Sequence, residues 1–488
     1  MDYIIITIYT MSLLMIFFYA LAQLNLLINY VKAQKKCDEC STFDFDKEEE
    51  IPIVTIQLPM YNEMYVVERL FDQVAKIKYP KDKLEIQVLD DSTDESIAVT
   101  LKKVNELKAL GFDIKHIQRE IRTGFKAGAL KEGLEYAKGE FIAIFDADFL
   151  PEPDFLYKTI PYFKNEKIGV VQTRWGHINR DYSILTRIQA FALDAHFTIE
   201  QVGRNSKGHF INFNGTAGVW RKACIFDAGN WEGDTLTEDL DLSYRSQLKG
   251  WEFKYLEDVI SPAELPIAVS AAKSQQFRWN KGGAENFRKM KWKVLSSDTN
   301  WKTKLHCILH LLNSTMFLNV FIIAVLSIPM LYIKNHSMEL ENYFTVMSAF
   351  ISSTIIFFIC YWVMYRKLQG KGFVNFFRYV LDFFSFFSLA LGFSFHNTVA
   401  VLEGHLGKKS AFIRTPKFNI NNINQNWKSN KYIVNSLSFT NLVEGILALY
   451  FVFGLYSAFY LNDYGLFIFH IMLVFGFGYV FINALRSN

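Results

Sequence analysis

Two carboxylates one residue apart, Asp146 and Asp148, close an apolar run over residues 141–145. In extended chain, positions i and i+2 share a face, so both side chains can offer oxygens to one hard cation, Mg²⁺ or Mn²⁺, lying against a diphosphate. The same pattern also suits a strand that ends in a solvated Asp-rich turn closed by Pro151 and Pro153. Pro59, Tyr61 and Glu63 follow one β-rich run, and Asp90 and Asp91 end another. An aromatic ring with carboxylates that accept from ribose hydroxyls and a base N–H would suit a nucleoside, while Asp90, Asp91 and Ser92 equally suit a helix cap. Arg122, Gly124, Lys126 and Gly128 set two cations and two glycines ahead of a helix, which fits diphosphate oxygens or a plain basic turn. Thr237, Glu238 and Asp239 open a further helix. A carboxylate there can take the proton of an attacking sugar hydroxyl, or simply favour the helix dipole. Gln275, Arg278 and Trp279 then supply a guanidinium fork for phosphate and a flat apolar face for a sugar ring, on what would also serve as a basic membrane-surface helix.

These groups need a scaffold. Short β-rich runs at 53–58, 84–89, 141–145 and 169–173 alternate with helical patterns at 97–110 and 126–137, which predicts a mainly parallel α/β sheet. Ligands of such sheets sit beyond the carboxyl ends of the strands, and each group above falls at or soon after such an end.

The α/β region is flanked by apolar segments. Residues 3–31 carry no charge and stop at Lys32, Lys35 and Lys36, which reads as a first transmembrane helix followed by a cytoplasmic segment. Residues 305–333, 343–365, 438–461 and 464–485 are also long enough to span, the third with Glu444 inside it. Between them, 375–403 is amphipathic, with Arg378, Asp382, Ser385, Gly392, His396 and Glu403 on one face. It is expected to lie at the interface or partly re-enter the membrane. The division is 1–36 (transmembrane helix), 37–300 (cytoplasmic catalytic domain) and 301–488 (membrane region of four spans, the interfacial helix 375–403 and a loop at 404–435).

Composition agrees with a membrane protein: the chain is 51% hydrophobic and 16% aromatic over 488 residues. A net charge of only +3 offers no electrostatic case for nucleic acid. Cys37 and Cys40 are the only close pair among five cysteines, and are expected to be reduced.

Taken in order, Asp90-Asp91, Asp146 and Asp148, Thr237-Glu238-Asp239, and Gln275, Arg278 and Trp279 resemble the D, DxD, TED and QxxRW series of processive family 2 glycosyltransferases of the cellulose synthase superfamily. The stretches 171–175 and 213–221, with Glu264 and Pro266, are more similar to the cellulose-synthase-like A and C proteins, the mannan and glucan backbone synthases. The resemblance covers roughly residues 50–300. It implies an α/β GT-A (Rossmann-like) domain inserted between transmembrane helices, and a membrane-embedded inverting transfer of a hexose from a UDP- or GDP-sugar to a growing β-linked glycan. A glycolipid product from the same donors is the alternative. It further implies that Asp146 and Asp148 hold the metal and Asp239 is the base. Pro59, Tyr61, Glu63, Asp90, Asp91, Lys126, Asp146, Gln275 and Arg278 would hold the nucleotide sugar. Asn214, Gly215, Thr216, Glu238 and Trp279 would meet the acceptor. Phe412, Arg414, Thr415 and Lys417 resemble an FxVTxK gating loop, with Arg414 in place of Val, which would bring Thr415 and Lys417 to the nucleotide. No PilZ-type domain is expected after the last span, and so no cyclic-di-GMP control. A transporter would have no need of the metal and base carboxylates, and a glycosidase no need of a nucleotide site.

Overall fold

The computed structural model describes residues 2–34, 51–336, 338–410, 412–419, 431–432 and 438–486. Cys37 and Cys40 lie outside these residues, as does most of 420–435.

Seven strands form one sheet: β1 (Val54–Met60), β2 (Leu84–Asp90), β3 (Asp113–Ile117), β4 (Phe141–Ile144), β5 (Ile168–His177), β6 (Gly218–Arg221) and β7 (Glu252–Ala263), in the order β3-β2-β1-β4-β6-β5-β7. β1 and β2 are buried along almost their whole length, as parallel strands covered on both faces are. The pairings of β1 with β2 and β4, of β2 with β3, and of β5 with β7 are parallel. β6 runs antiparallel to both β4 and β5. The sheet is therefore mixed, and the short apolar run of β6 gave no sequence cue to its direction.

This reversal positions the site. The parallel register aligns Met60 with Asp90 and Gln57 with Ile144, so the residues after β1, β2 and β4 emerge on one edge. Because β6 is reversed, its amino-terminal approach, residues 214–217, reaches the same edge. Ala217 N–H donates to Ile144 O (2.9 Å), and Asp146 N–H donates to Thr216 Oγ1 (2.9 Å).

The 28-residue helix Val269–Ser296 crosses below this edge and is followed by Trp301–Leu311, capped by Asn300 through Thr303 N–H. Residues 301–311 were expected to belong to the membrane region, and 305–311 to its second span. Instead they form a separate helix that stops before a 3₁₀ turn at Asn313–Thr315. Its Cys307 and Leu311 pack with Phe210, Tyr244, Met290 and Val294 of the α/β unit.

Six helices among the described residues are long and apolar enough to cross a membrane: Asp2–Ala33, Asn313–His336, Glu341–Gln369, Phe373–Leu406, Phe439–Tyr460 and Phe467–Arg486. By length and composition that is one more than counted from sequence, the sixth being Phe373–Leu406, the stretch expected at the interface. Much of its polar face meets protein, although Arg378 is exposed. Asp382 pairs with Arg187 (3.2 Å). His396 Nε2 lies 3.1 Å from Lys273 O, Asn397 Nδ2 donates to Gln276 Oε1 (2.8 Å), and Glu403 pairs with Lys281 (3.1 Å). Gly392 meets Gly476 so closely that an added Cβ would lie 2.3 Å from its carbonyl oxygen. These polar contacts run along the α/β unit on both halves of the helix, which fits the expected interfacial position as well as a span.

Candidate active site

The strand ends, the turn before β6 and the helix Val269–Ser296 enclose a cleft of about 190 Å³. Asp146 and Asp148 face it from one side. Lys126, from the helix Phe125–Tyr136, contacts Asp146 Oδ1 (2.5 Å) and donates to Gly215 O (2.8 Å). Lys417 contacts Asp148 Oδ2 (2.5 Å). Glu63 is buried beside them with Oε2 lacking a hydrogen-bond partner, Arg414 Nη1 standing 3.7 Å away. Burial, with help from Asp148 and Asp146 and against Arg414 and Lys417, pushes the Glu63 carboxyl up to about 7. Hard carboxylate oxygens that already attract ammonium groups form a donor set that fits a divalent cation. Among the described residues, the carboxylate cluster with ligand spacing is Glu232, Asp234 and Asp241, which surrounds Lys289 Nζ at 2.7, 2.8 and 2.8 Å and so already contains a cation.

Opposite the aspartates, Arg278 donates from Nη2 to Thr415 Oγ1 (2.7 Å), while its guanidinium lies 4.7 Å from the Phe412 ring centroid. Its Nε is buried without a hydrogen-bond partner. Gln275 and Trp279, one turn apart on the same helix, line the cleft as well. Pro59, Tyr61, Asp91, Asn214 and Gly215 complete its wall, and the Arg122 guanidinium stacks 3.4 Å from the Tyr61 ring centroid.

The segment ending in Asp239 is held by the helix beneath it. Asn286 Nδ2 donates to Thr237 Oγ1 (2.9 Å) and O (3.1 Å), and Leu236 N–H donates to Glu285 Oε2 (2.8 Å). Gly282 permits this contact, since an added Cβ would lie 2.5 Å from Thr237 Oγ1. Asp239 Oδ1 accepts from Leu240 N–H (2.9 Å). Gly215, at φ +79°, lets the turn before β6 approach Asp239, with its missing Cβ 3.1 Å from Oδ2. Burial, and then the neighbouring Glu238, push the Asp239 carboxyl well above the ordinary range, against the pull of Lys126. The Glu238 carboxyl is also raised, chiefly by burial.

A second cavity of about 460 Å³ meets the cleft at Trp175, Asn214, Asp239, Gln275 and Trp279. It runs between the α/β unit and the apolar helices, where Tyr19, Phe317, Tyr361 and Phe393 line it.

Three expected residues stand elsewhere than their assigned neighbours. Asp90 does not line the cleft, because Ser92 N–H (3.0 Å) and His116 Nε2 (2.9 Å) enclose its carboxylate. Thr216 is fully buried and fixes the Asp146 backbone, lining neither cavity. Glu238 lines the cleft with the aspartates and not the second cavity. Reading the sequence alone missed Arg119, which clamps Asp91 through Nε (2.9 Å) and Nη2. The only cue to it was a cation placed just after β3.

Residues 52–282 match the family described as "Glycosyltransferase like family 2". The chain is 44% identical over 287 residues to "Probable glucomannan 4-beta-mannosyltransferase 4" of Oryza sativa subsp. japonica, covering 57% of this chain and 51% of that protein. It is likewise 44% identical over 264 residues to "Glucomannan 4-beta-mannosyltransferase 9" of Arabidopsis thaliana, covering 53% and 49%. The chain thus spans about half the length of the curated relatives it matches. Among solved structures, the mannosyltransferase PcManGT from Pyrobaculum calidifontis, in complex with GDP-Man and Mn²⁺, shares the fold at TM-score 0.52 and 18% identity. That likeness covers 81% of this chain and all of the other.

Proposed function

We propose that this chain, whose residues 52–282 match a family 2 glycosyltransferase model, is a membrane-embedded inverting polysaccharide synthase of GT-A fold that extends a β-linked glycan from a nucleotide sugar. The observation that carries this reading is the meeting of the cleft and the second cavity at Asp239. Donor and acceptor can reach one carboxylate from two sides. A mannosyl unit is the first hexose to consider, since the relatives are named glucomannan 4-beta-mannosyltransferases. The neighbour solved with GDP-Man and Mn²⁺ makes GDP-mannose the first donor to test, ahead of UDP-glucose.

Asp146 and Asp148 would hold a divalent metal, whose charge would offset that of the donor diphosphate. Tyr61, Glu63 and Asp91 hold the nucleoside side of the cleft, with Asp90 bracing the β2 end from behind. Arg278 and Lys126 stabilise negative charge on the leaving diphosphate, and Thr415 and Lys417 close over it. Gln275 sits between the two spaces, and Trp279 offers its ring to the acceptor sugar beside Asn214 and Gly215. Asp239, with its raised carboxyl, takes the proton from the acceptor hydroxyl as that oxygen attacks the anomeric carbon from the face opposite the nucleotide. The anomeric configuration is thereby inverted. The basic residues that follow the first and third apolar segments support a cytoplasmic α/β unit, on the side where nucleotide sugars are available.

The test is a panel of radiolabelled nucleotide sugars offered to the detergent-purified protein with Mg²⁺ or Mn²⁺. Transfer from GDP-mannose into a product released by β-mannanase supports the reading. Transfer of a single sugar into a lipid extract, with nothing longer, overturns the polymerase claim.

A further inference from the structure

A polar chain that the preceding assignments do not use leads from the junction of the two cavities to the first apolar helix. The helix Ile184–Ala195 runs into a π-helical turn, His196–Glu200, before resuming at Gln201–Asn205. Such a turn breaks the i→i−4 ladder and is characteristic of functional positions. Here it brings His196 Nδ1 within 3.2 Å of Glu200 Oε2.

The other imidazole nitrogen, Nε2, is 3.1 Å from Asn214 Oδ1. The Asn214 amide is fixed in direction, because Oδ1 also accepts from Asn212 Nδ2 (2.9 Å) and Nδ2 donates to Asn212 O (3.3 Å). The two ring nitrogens of His196 thus link the Glu200 carboxylate to the Asn214 amide. Asn214 keeps one amide hydrogen beyond these contacts, and it lines both cavities together with Asp239.

Glu200 is kept ionised by its surroundings. Burial would raise its carboxyl, but Arg204, His196 and Gln23 hold it well below the usual range. Arg204 Nη2 donates to Oε2 (3.1 Å), and Gln23 Nε2, from the helix Asp2–Ala33, donates to Oε1 (2.8 Å). Gln23 also donates to Tyr19 Oη (2.8 Å), which donates to Asn313 Oδ1 (2.6 Å).

We propose that His196 and Glu200 are positioning residues for the acceptor: acting through Asn214, they fix an amide donor that holds the terminal acceptor sugar with its attacking hydroxyl toward Asp239. This rests on the glycosyltransferase reading above and adds to it the device that orients the acceptor. The apolar helix Asp2–Ala33 is part of that device, through Gln23.

The experiment measures, for wild type, His196→Ala, His196→Gln and Glu200→Gln, the KM for a soluble β-linked manno-oligosaccharide acceptor and the Kd for GDP. His196→Ala should raise the acceptor KM about tenfold or more, the loss of one charge-assisted hydrogen bond, while the GDP Kd stays unchanged. Glu200→Gln should shift the acceptor KM in the same direction by less. His196→Gln, which retains an N–H for Asn214, should recover part of the loss. An acceptor KM equal to wild type in His196→Ala overturns the proposal, as does a parallel loss of acceptor and GDP affinity. Should His196→Ala fail to fold, Glu200→Gln decides by the same criterion. A wild-type protein that transfers sugar from no donor refutes the glycosyltransferase reading itself, whereas active wild type with unaffected variants refutes only the present inference.

Discussion

Asp239 and Glu238 stand side by side in the first turn of a helix, where the dipole favours ionised carboxylates. Burial opposes the dipole and raises both carboxyls. A base must be ionised to work, so the raised Asp239 should place the acid limb of the kcat–pH profile well above the ordinary Asp value of about 3.9. After burial, the negative charge of Glu238 is the next largest cause, so Glu238→Gln should move that limb to lower pH. A limb that stays in place would separate it from Asp239. Asp239→Asn should abolish sugar transfer while leaving the Kd for GDP within about a factor of two, measured by calorimetry. The residues behind these predictions were legible because each motif carries its spacing within a few positions of chain. His116 and Arg119 were not, since their approach to Asp90 and Asp91 depends on the pairing of β2 with β3. His196 and Glu200 were hidden for another reason: a four-residue spacing reads as an ordinary helix face until the π turn alters it.

At the scale of elements, the site depends on how two pieces of backbone dock. The helix Val269–Ser296 holds the segment 235–239 through fully buried Asn286 and the bare surface of Gly282. Asn286→Ala leaves Thr237 with a lost partner and should destabilise the protein by about 1–3 kcal/mol, seen as a lower midpoint in thermal unfolding. Gly282→Ala should lower kcat more than it weakens GDP binding, because its Cβ displaces Thr237 and so Asp239, while the aspartates that face the diphosphate stand on another element. Equal losses in both would contradict this division. Alternation of β-rich and helical runs announced β1, β2, β4 and β5 and the helices Ser96–Ala109 and Phe125–Tyr136. β3, β6 and β7 escaped notice because short or interrupted runs reveal neither pairing partner nor direction. The helix Phe373–Leu406 was recognised as amphipathic, but a sequence pattern does not name the elements, Ile184–Ala195 and Val269–Ser296, that its polar residues meet.

Across the whole molecule, the α/β unit is tied to the apolar helices by buried polar contacts. Lys273, on the helix that carries Arg278, pairs with Glu444 (2.6 Å) and donates to Asn441 Oδ1 (2.9 Å) of the helix Phe439–Tyr460. Glu444, which interrupts the apolar segment 438–461, thus joins the apolar helices to the helix that carries Arg278. Lys273→Met should cost about 3–5 kcal/mol by stranding Glu444, and adding Glu444→Leu should return part of that loss, measured as a double-mutant cycle in thermal stability. In the proposed reaction the product forms where the two cavities meet. The most direct measurement is the chain length and linkage of the glycan formed from GDP-mannose by wild type and Asp239→Asn side by side. The account predicts a β-linked polymer of many residues from wild type and none from the variant. A single transferred sugar, an α-linkage, or polymer made equally well without the Asp239 carboxylate would contradict it.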